Sequence, residues 1–365
     1  VSLFYKIFGI RQWPVFAVQI LLDSSMVILI FLISKKLFGN ELSAVLSSCI
    51  YTLNLPSIIF TTQLMTDILA GFIFTSFLLA YILTIKSPSN NRFLFLGFIF
   101  GLLVLTRVLF LTLLPLLSIG LYAGLPMKKR RRIKGVILMV IMVLMLITPW
   151  QYRNYREFGH YSLSNQAGIE LYFWNAAKLH SEVEGFRHTI SRKVFTKKSG
   201  INEIKNPFSQ SRMSTILAVD YIRKHPKTYG ILIAEGAWEL FKATSPKTIR
   251  VKLKKSFGPF LSANTLGWDD FYKSFNSAVG KKVSLEYLFF ILGVVVSMGN
   301  RGQRIFTLTV VLVLIQYFLT LGIIGIVRFK IPIIPVIHVY SGLGVYHLIM
   351  WLQRVSYRFL GKNRI

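Results

Sequence analysis

Apolar runs long enough to cross a bilayer recur along this chain, separated by short loops rich in lysine and arginine. No other feature limits the fold as much, because each helix crossing a hydrocarbon core needs roughly 17–25 apolar residues. The first run is Trp13 to Ser34, the second extends from Leu42 to the Asn54-Leu55-Pro56 break, and the third from about Leu64 to Ile85. Phe93 to Leu125 is too long for one ordinary span, and the polar pair Thr106-Arg107 divides it, which predicts two short helices in a hairpin. Ile133 to Trp150 comes next. After a long stretch of mixed composition follow Leu285–Met298, Ile305–Ile323 and Ile331–Leu352. The pattern predicts an all-α polytopic membrane protein with about nine spans.

Composition agrees. Of the 365 residues 53% are apolar and 16% charged, with a mean hydropathy of +0.56, against roughly a quarter charged in soluble domains. That excludes a soluble globular domain, a disordered tail and a disulfide scaffold. The one cysteine, Cys49, lies in an apolar run, so neither an intrachain disulfide nor a thiolate metal site is expected. A net charge of +29 would in a soluble chain suggest nucleic acid. Here it has a membrane explanation, since short cytoplasmic loops collect Lys and Arg. Lys35-Lys36, the Lys86/Arg92 loop, Lys128-Lys129-Arg130-Arg131-Arg132, Arg301/Arg304 and the tail from Arg354 fall on one side when the spans alternate. The Asn54–Gln63 turn, the Thr106-Arg107 turn, residues 151–282 and the Arg328 turn then face outside. This topology starts outside at Val1, and the expectation is that at least one span and its external loop precede it, the alternative being an N-terminus exported with a signal segment that was then cleaved.

The predicted organisation is N-terminal membrane helices over 1–150, an external domain over 151–282, and C-terminal membrane helices with a basic cytoplasmic tail over 283–365. The external segment carries 22 basic and 10 acidic residues, a net of +12. This is either a solvated surface near anionic lipid or a field that attracts an anionic ligand. Met213 to Lys224 has helical spacing closed by His225-Pro226, and Tyr229 to Ala243 suits a helix lying at the interface, with basic Lys247–Lys255 at the headgroups.

The chain has no P-loop, GxGxxG, HExxH or GxSxG, and its six histidines show no metal-ligand spacing. The chemistry-bearing residues are instead ionisable groups at the external membrane face, where charge is costly and tends to line a cavity. Asp67 follows the Thr61-Thr62-Gln63 turn. It is either a first-turn acid favoured by the helix dipole or an active-site acid. Asp23, in mid-span, reads as a buried acid satisfied by neighbouring helices. Arg107, Arg153, Arg156 and Arg328 converge by topology on one face. Snorkelling suffices for any one of them, whereas as a set they suit a clamp on a lipid phosphate.

Around these residues the chain resembles the membrane-embedded glycosyltransferases of the C-type fold, family 39-like, specifically bacterial relatives of the protein O-mannosyltransferases and of the lipid A aminoarabinose transferase. KKLFGNELSAVLSSCIYTLNLPSIIFTTQLMTDILAGF (35–72) resembles their second and third helices with a Thr-Asp pair. GLLVLTRVLFLTLLPLL (101–117) is similar to an L-T-R-P turn with Val108 in the proline position. TPWQYRNYREFGHYSLSNQAGIELYFWN (148–175) resembles the opening of the external domain, and RFKIPIIPVI (328–337) the R-Y-x-x-P-x-x-P entry to the last helices.

The resemblance implies a C-type fold lacking its first helix, in a bacterial inner membrane with the large domain facing the periplasm. It implies transfer of a sugar from a polyprenyl-phosphate donor to an envelope glycan, lipid or protein, with inversion by direct displacement. A carboxylate serves as base, and cationic groups, sometimes with a divalent cation, steady the leaving phosphate. By the resemblance the principal catalytic acid lies in a loop that would precede Val1, so the chain is expected to be a glycosyltransferase fragment that lacks this loop. Asp67 is then a secondary acid and Arg107, Arg153 and Arg328 the donor-phosphate contacts; membrane lipids are expected partners and nucleic acid is not. Two further readings stay open: a lipid-linked-sugar flippase or transporter, which predicts an internal repeat, of which the sequence shows none, and a charged site near the bilayer midplane, and an inactive glycosyltransferase-like membrane protein.

Overall fold

A computed structural model describes residues 2–198, 200–241, 268–323 and 327–362, and all regular elements among them are helical. Six helical stretches are long and apolar enough to cross a membrane: Trp13–Phe38, Asp67–Lys86, Lys129–Phe158, Gly280–Gly299, Arg301–Leu321 and Arg328–Ser356. The other predicted spans are shorter. The second is a helix over Glu41–Thr52 followed by one over Leu55–Phe60. The 93–125 run breaks where the sequence predicts, into helix Asn90–Thr106 and, after Arg107, a 3₁₀ turn Val108–Leu113 leading into helix Leu114–Gly124.

Local chemistry sets these ends. Gly39 terminates the Trp13–Phe38 helix in the left-handed conformation (φ 71°), and the Asn40 side chain accepts from Ser43 N at 2.8 Å to start the next. Asn54 caps its helix through Ser57 N at 3.0 Å, with Pro56 in the first turn, where a missing N–H costs nothing. The Lys129–Phe158 helix runs through Pro149 without ending. Residues 151–158 therefore continue the rod of a membrane helix and carry Arg153 and Arg156 on its last turns.

Each long helix buries one stripe and exposes another apolar one. Along Arg301–Leu321, Phe306, Val310, Val313, Leu314, Tyr317 and Leu321 face the core, whereas Ile305, Leu308, Leu312, Ile315 and Leu319 face outward. An outward stripe of isoleucine and leucine at helical spacing belongs against lipid tails, not water. The last helix is the axis of the bundle, with every residue from Lys330 to Gly344 buried.

Apolar burial drives little association between helices already in lipid, so close backbone packing has to hold the bundle. A Cβ on Gly344 would stand 2.0 Å from the Phe289 carbonyl oxygen, and one on Gly293 1.9 Å from that of Tyr340. These glycines let helices Trp268–Gly299 and Ile334–Lys362 touch backbone to backbone.

The two ends of the bundle differ in charge. Lys86, at the foot of the helix that begins with Asp67, donates to the Lys36 carbonyl, and Arg92 donates to Ser87 O at 2.6 Å. Asp67 lies at the opposite end of that same helix.

The segment that follows the Lys129–Phe158 helix has its own small core of Tyr172, Phe173, Ala176, Ile201 and Ala218. It contains helices Gln166–Glu170, Ala177–Glu184, His188–Lys198, Pro207–Lys224 and Pro226–Phe241. Lys224 and His225 close one of them as the spacing predicts. The Lys247–Lys255 stretch lies outside the described residues.

Gly344→Val should force the two axis helices apart and lower the melting temperature in detergent by several degrees, corresponding to about 1–3 kcal/mol. An unchanged melting curve would contradict the backbone packing described.

Candidate functional site

Asp67 opens its helix just after the Thr61–Gln63 turn, a position where the unpaired N–H groups of the first turn favour negative charge. It is 2% exposed, and its Oδ1 lies 2.7 Å from Nη2 of Arg107, itself 16% exposed. The neighbouring turn is braced from the first long helix, where Gln19 Nε2 donates to the Gln63 carbonyl at 2.9 Å.

Arg107 reaches Asp67 because the chain leaves its helix there. Its backbone is extended (φ −147°, ψ 108°) and its N–H still bonds Leu103 O at 2.8 Å. A residue before proline is pushed into this conformation. Here the chain adopts it with Val108 following, held by the ion pair and by the 3₁₀ turn beyond.

The third member comes from the far end of the sequence. Val327–Ile333 forms a 3₁₀ segment in front of the axis helix, fixed where the buried Tyr317 hydroxyl donates to Phe329 O at 2.7 Å. The Phe329 ring then lies 5.3 Å from the Arg107 guanidinium carbon and 4.8 Å from that of Arg328, near enough for cation–π attraction to both. Arg328 also sends Nη1 to Met65 Sδ at 3.4 Å, while its Nε is buried with no hydrogen-bond partner among the described residues. The positive charges of Arg107 and Arg328 both act on Asp67.

The sequence-derived set thus divides. Asp67, Arg107 and Arg328 come together, although up to 263 residues separate contacting partners. Arg153 lies elsewhere, with its guanidinium 4.9 Å from the Trp150 ring and hydrogen-bonded to Asn154. Asp23 accepts from the Tyr51 hydroxyl at 2.5 Å, the packing contact expected of it.

Two features were not anticipated. Glu170 stands near enough for Arg328 and Arg107 to act on its carboxylate. Partial burial raises its pKa, and the two arginines offset part of that rise. The second feature is a buried ionisable group inside the spans. Glu286 lies 3.6 Å from His338 and 3.2 Å from Lys282, and Lys330, 3% exposed, is 5.8 Å from the Tyr287 ring. The sequence did carry a signal for it, since Glu286, Lys330 and His338 interrupt apolar runs where charge is costly.

No group of three or more His, Cys, Asp or Glu able to hold a metal occurs among the described residues. The buried carboxylate of the site already faces a guanidinium, so the residues present do not fit the divalent cation that the resemblance allows.

Removing Arg107 should leave a buried, uncompensated carboxylate. Arg107→Ala is expected to cost about 3–5 kcal/mol, and Asp67→Asn in the same chain should recover part of it. Unfolding measurements in mixed micelles over the double-mutant cycle would check this, strict additivity contradicting the pair.

Residues 1–152 match the family model described as dolichyl-phosphate-mannose-protein mannosyltransferase. No curated protein and no solved structure gives a significant match. The matched stretch contains Asp67 and Arg107, while Arg328 and Glu170 lie beyond it. The likeness to that family thus rests on residues 1–152, less than half of the chain, which here lie in an all-helical bundle with six apolar spans among the described residues.

Proposed function

We propose that the chain moves a sugar from a polyprenyl-phosphate donor to an acceptor hydroxyl at the Asp67 end of the bundle, which faces the periplasm of a bacterial inner membrane. The observation that supports this most is the pair of guanidiniums, Arg107 and Arg328, flanking Phe329 above one buried carboxylate. Two guanidiniums face one ion-paired carboxylate, Asp67, with the solvent-accessible Glu170 also in their field, and the unpartnered Arg328 Nε offers an additional donor. A phosphodiester brings negative charge to the pair and accepts the fork of N–H groups. The polyprenyl tail lies in the bilayer beside the outward apolar stripes.

In this reading the arginines neutralise the phosphate as it leaves the anomeric carbon, and electrostatic stabilisation of a leaving group is commonly the largest single contribution to such a rate. Asp67 acts by holding Arg107 in place, because its oxygen is already engaged. Charge neutralisation runs through guanidinium groups, and no step passes through a metal. Arg153, stacked on Trp150, belongs to the rim of the approach. The acceptor is a glycan, lipid or protein hydroxyl of the envelope.

The transport reading draws on the buried Glu286–His338–Lys282 group, although Lys282 also donates to the Leu53 carbonyl beside the Asn54 turn and not toward mid-bundle. The two readings separate in sealed vesicles, where a flippase equilibrates lipid-linked sugar between leaflets without breaking the sugar–phosphate bond.

With polyprenyl-phosphate sugar supplied in vesicles, Arg328→Ala should lower transfer about 100- to 1,000-fold. Asp67→Asn should lower it through the misplaced Arg107, and Arg153→Ala should cost less than either. Unchanged transfer in Arg328→Ala would contradict the phosphate assignment, and cytoplasmic exposure of residues 151–241 to protease would contradict the orientation.

A further inference from the structure

Arg328 is held only lightly by its own side chain. Its contacts are the Met65 sulfur, a weak acceptor, and the adjacent Phe329 ring, whereas Arg107 is fixed by its ion pair with Asp67. Where the Arg328 guanidinium stands is therefore decided by the backbone that carries it. In sequence that backbone follows shortly on the Gly322–Ile323 turn at the end of helix Arg301–Leu321.

The turn does not hold itself. Gly322 ends the helix with φ 62° and ψ −140°, a conformation that a side chain would strain. The closing bond of the helix runs from Gly322 N to Leu319 O at 3.1 Å, and the next N–H, that of Ile323, needs an acceptor from elsewhere. Asn175 supplies it across 148 residues of sequence, with Oδ1 at 2.9 Å.

This amide has one possible orientation. A backbone N–H only donates, so Ile323 must face the oxygen, and Asn175 Nδ2 donates instead to Glu170 O at 3.3 Å. Asn175 is 5% exposed and belongs to the π-helical turn Leu171–Ala176, a type of irregularity that recurs at functional sites. Tyr172, Phe173 and Ala176 of the same turn form part of a small core, so the amide stands on a packed base.

A second element grips the same place. On helix Pro226–Phe241, a Cβ at Gly236 would stand 2.9 Å from Ile323 O and 3.0 Å from Gly322 O, so the bare glycine lets helix and turn touch backbone to backbone. That helix also packs against Val327–Ile333, and its fully buried Leu240 joins the core of the membrane bundle. From within the bundle, the stretch carrying Arg328 is held where Tyr317 donates to Phe329 O.

We propose that Asn175 is a positioning residue of the arginine site: by holding the Gly322–Ile323 turn, it sets the backbone from which Arg328 meets the donor phosphate. The ligand rests on the glycosyltransferase reading above, while the coupling rests on the hydrogen bond itself. Asn175 touches neither donor nor acceptor. Through it, a displacement of Leu171–Ala176 reaches Arg328, and the segment 166–241 tunes donor affinity from outside the phosphate contacts.

The test uses the full chain in nanodiscs with two readouts, backbone hydrogen exchange and binding of a polyprenyl-phosphate hexose. Asn175→Ala and Gly322→Ala break one contact from its two sides, since a Cβ on Gly322 would stand 2.4 Å from Asn175 Oδ1. In both variants exchange in peptides covering 327–333 should rise about tenfold or more, while Asp67–Lys86 stays as in wild type. Asn206→Ala is the control: Asn206 bonds Phe158 O at 2.8 Å and caps helix Pro207–Lys224. Its loss should fray that helix and leave 327–333 unchanged. Asn175→Ala should also weaken donor binding about tenfold, and no further in a chain that already carries Arg328→Ala.

Unchanged exchange in 327–333 with donor binding intact would overturn the role of Asn175 and leave the donor site standing. A rise in exchange spread over the whole chain would overturn it too, as would a loss of binding additive with Arg328→Ala, because either makes Asn175 a stabilising residue only. Wild-type protein that binds no donor would bring down the glycosyltransferase reading, and the positioning role with it.

Discussion

A carboxylate with 2% of its surface exposed, at the rim of a membrane bundle, keeps its charge only if a cation is held against it. The Asp67–Arg107 pair meets that condition, and much of the surrounding architecture follows from it. To reach Asp67, Arg107 must stand where the apolar 93–125 stretch leaves its helix, so the break in that stretch is tied to the ion pair. Because the Arg107 guanidinium also lies against Phe329, the pair locates the Val327–Ile333 segment, and with it Arg328 and the entrance to the axis helix. The interaction joins the start of one span, the end of a second and the beginning of the last.

This arrangement separates the two ends of the bundle chemically. One end carries lysines and arginines that bond to nearby carbonyls and hydroxyls in short loops, as in the Lys86–Lys36 and Arg92–Ser87 contacts. The other gathers arginines and carboxylates from distant parts of the chain into a partly buried group. Charges of the first kind cost little because water reaches them. Those of the second kind are expensive and so must be matched, which is why an incompletely partnered arginine among them points to an anionic ligand.

Much of the fold was legible in the sequence, because spans are dictated locally by length and apolarity. The division of 93–125 at Thr106-Arg107 is the clearest instance: a polar pair within an apolar run has few places to go. The convergence of Asp67, Arg107 and Arg328 followed from alternation of spans, which fixes the end of the bundle but not the contacts. Arg153 shows the limit. Topology puts it at the right end, but helical spacing sets it over Trp150, three residues earlier, and its contacts are with Trp150 and Asn154 instead of the ion pair. Glu170 was beyond reach, since its exposure to the charges of Arg107 and Arg328 comes from packing between segments far apart in sequence, which has no local signature. Glu286 and His338 interrupt predicted spans and were detectable as charge or polarity out of place, with Lys330 at the edge of one; what the sequence does not give is that Glu286 and His338 face one another.

The central claim is that the Arg107–Arg328 pair receives the donor phosphate. Its most direct measurement is photo-crosslinking with a polyprenyl-phosphate sugar carrying a diazirine beside the phosphate, in nanodiscs, with the labelled peptides read by mass spectrometry. The account predicts label in the segments around Met65–Asp67, Arg107–Phe110 and Arg328–Ile331, competed away by unlabelled donor. Label confined to the opposite end of the bundle, around Lys35–Lys36, Lys86–Arg92 and Lys128–Arg132, would contradict it.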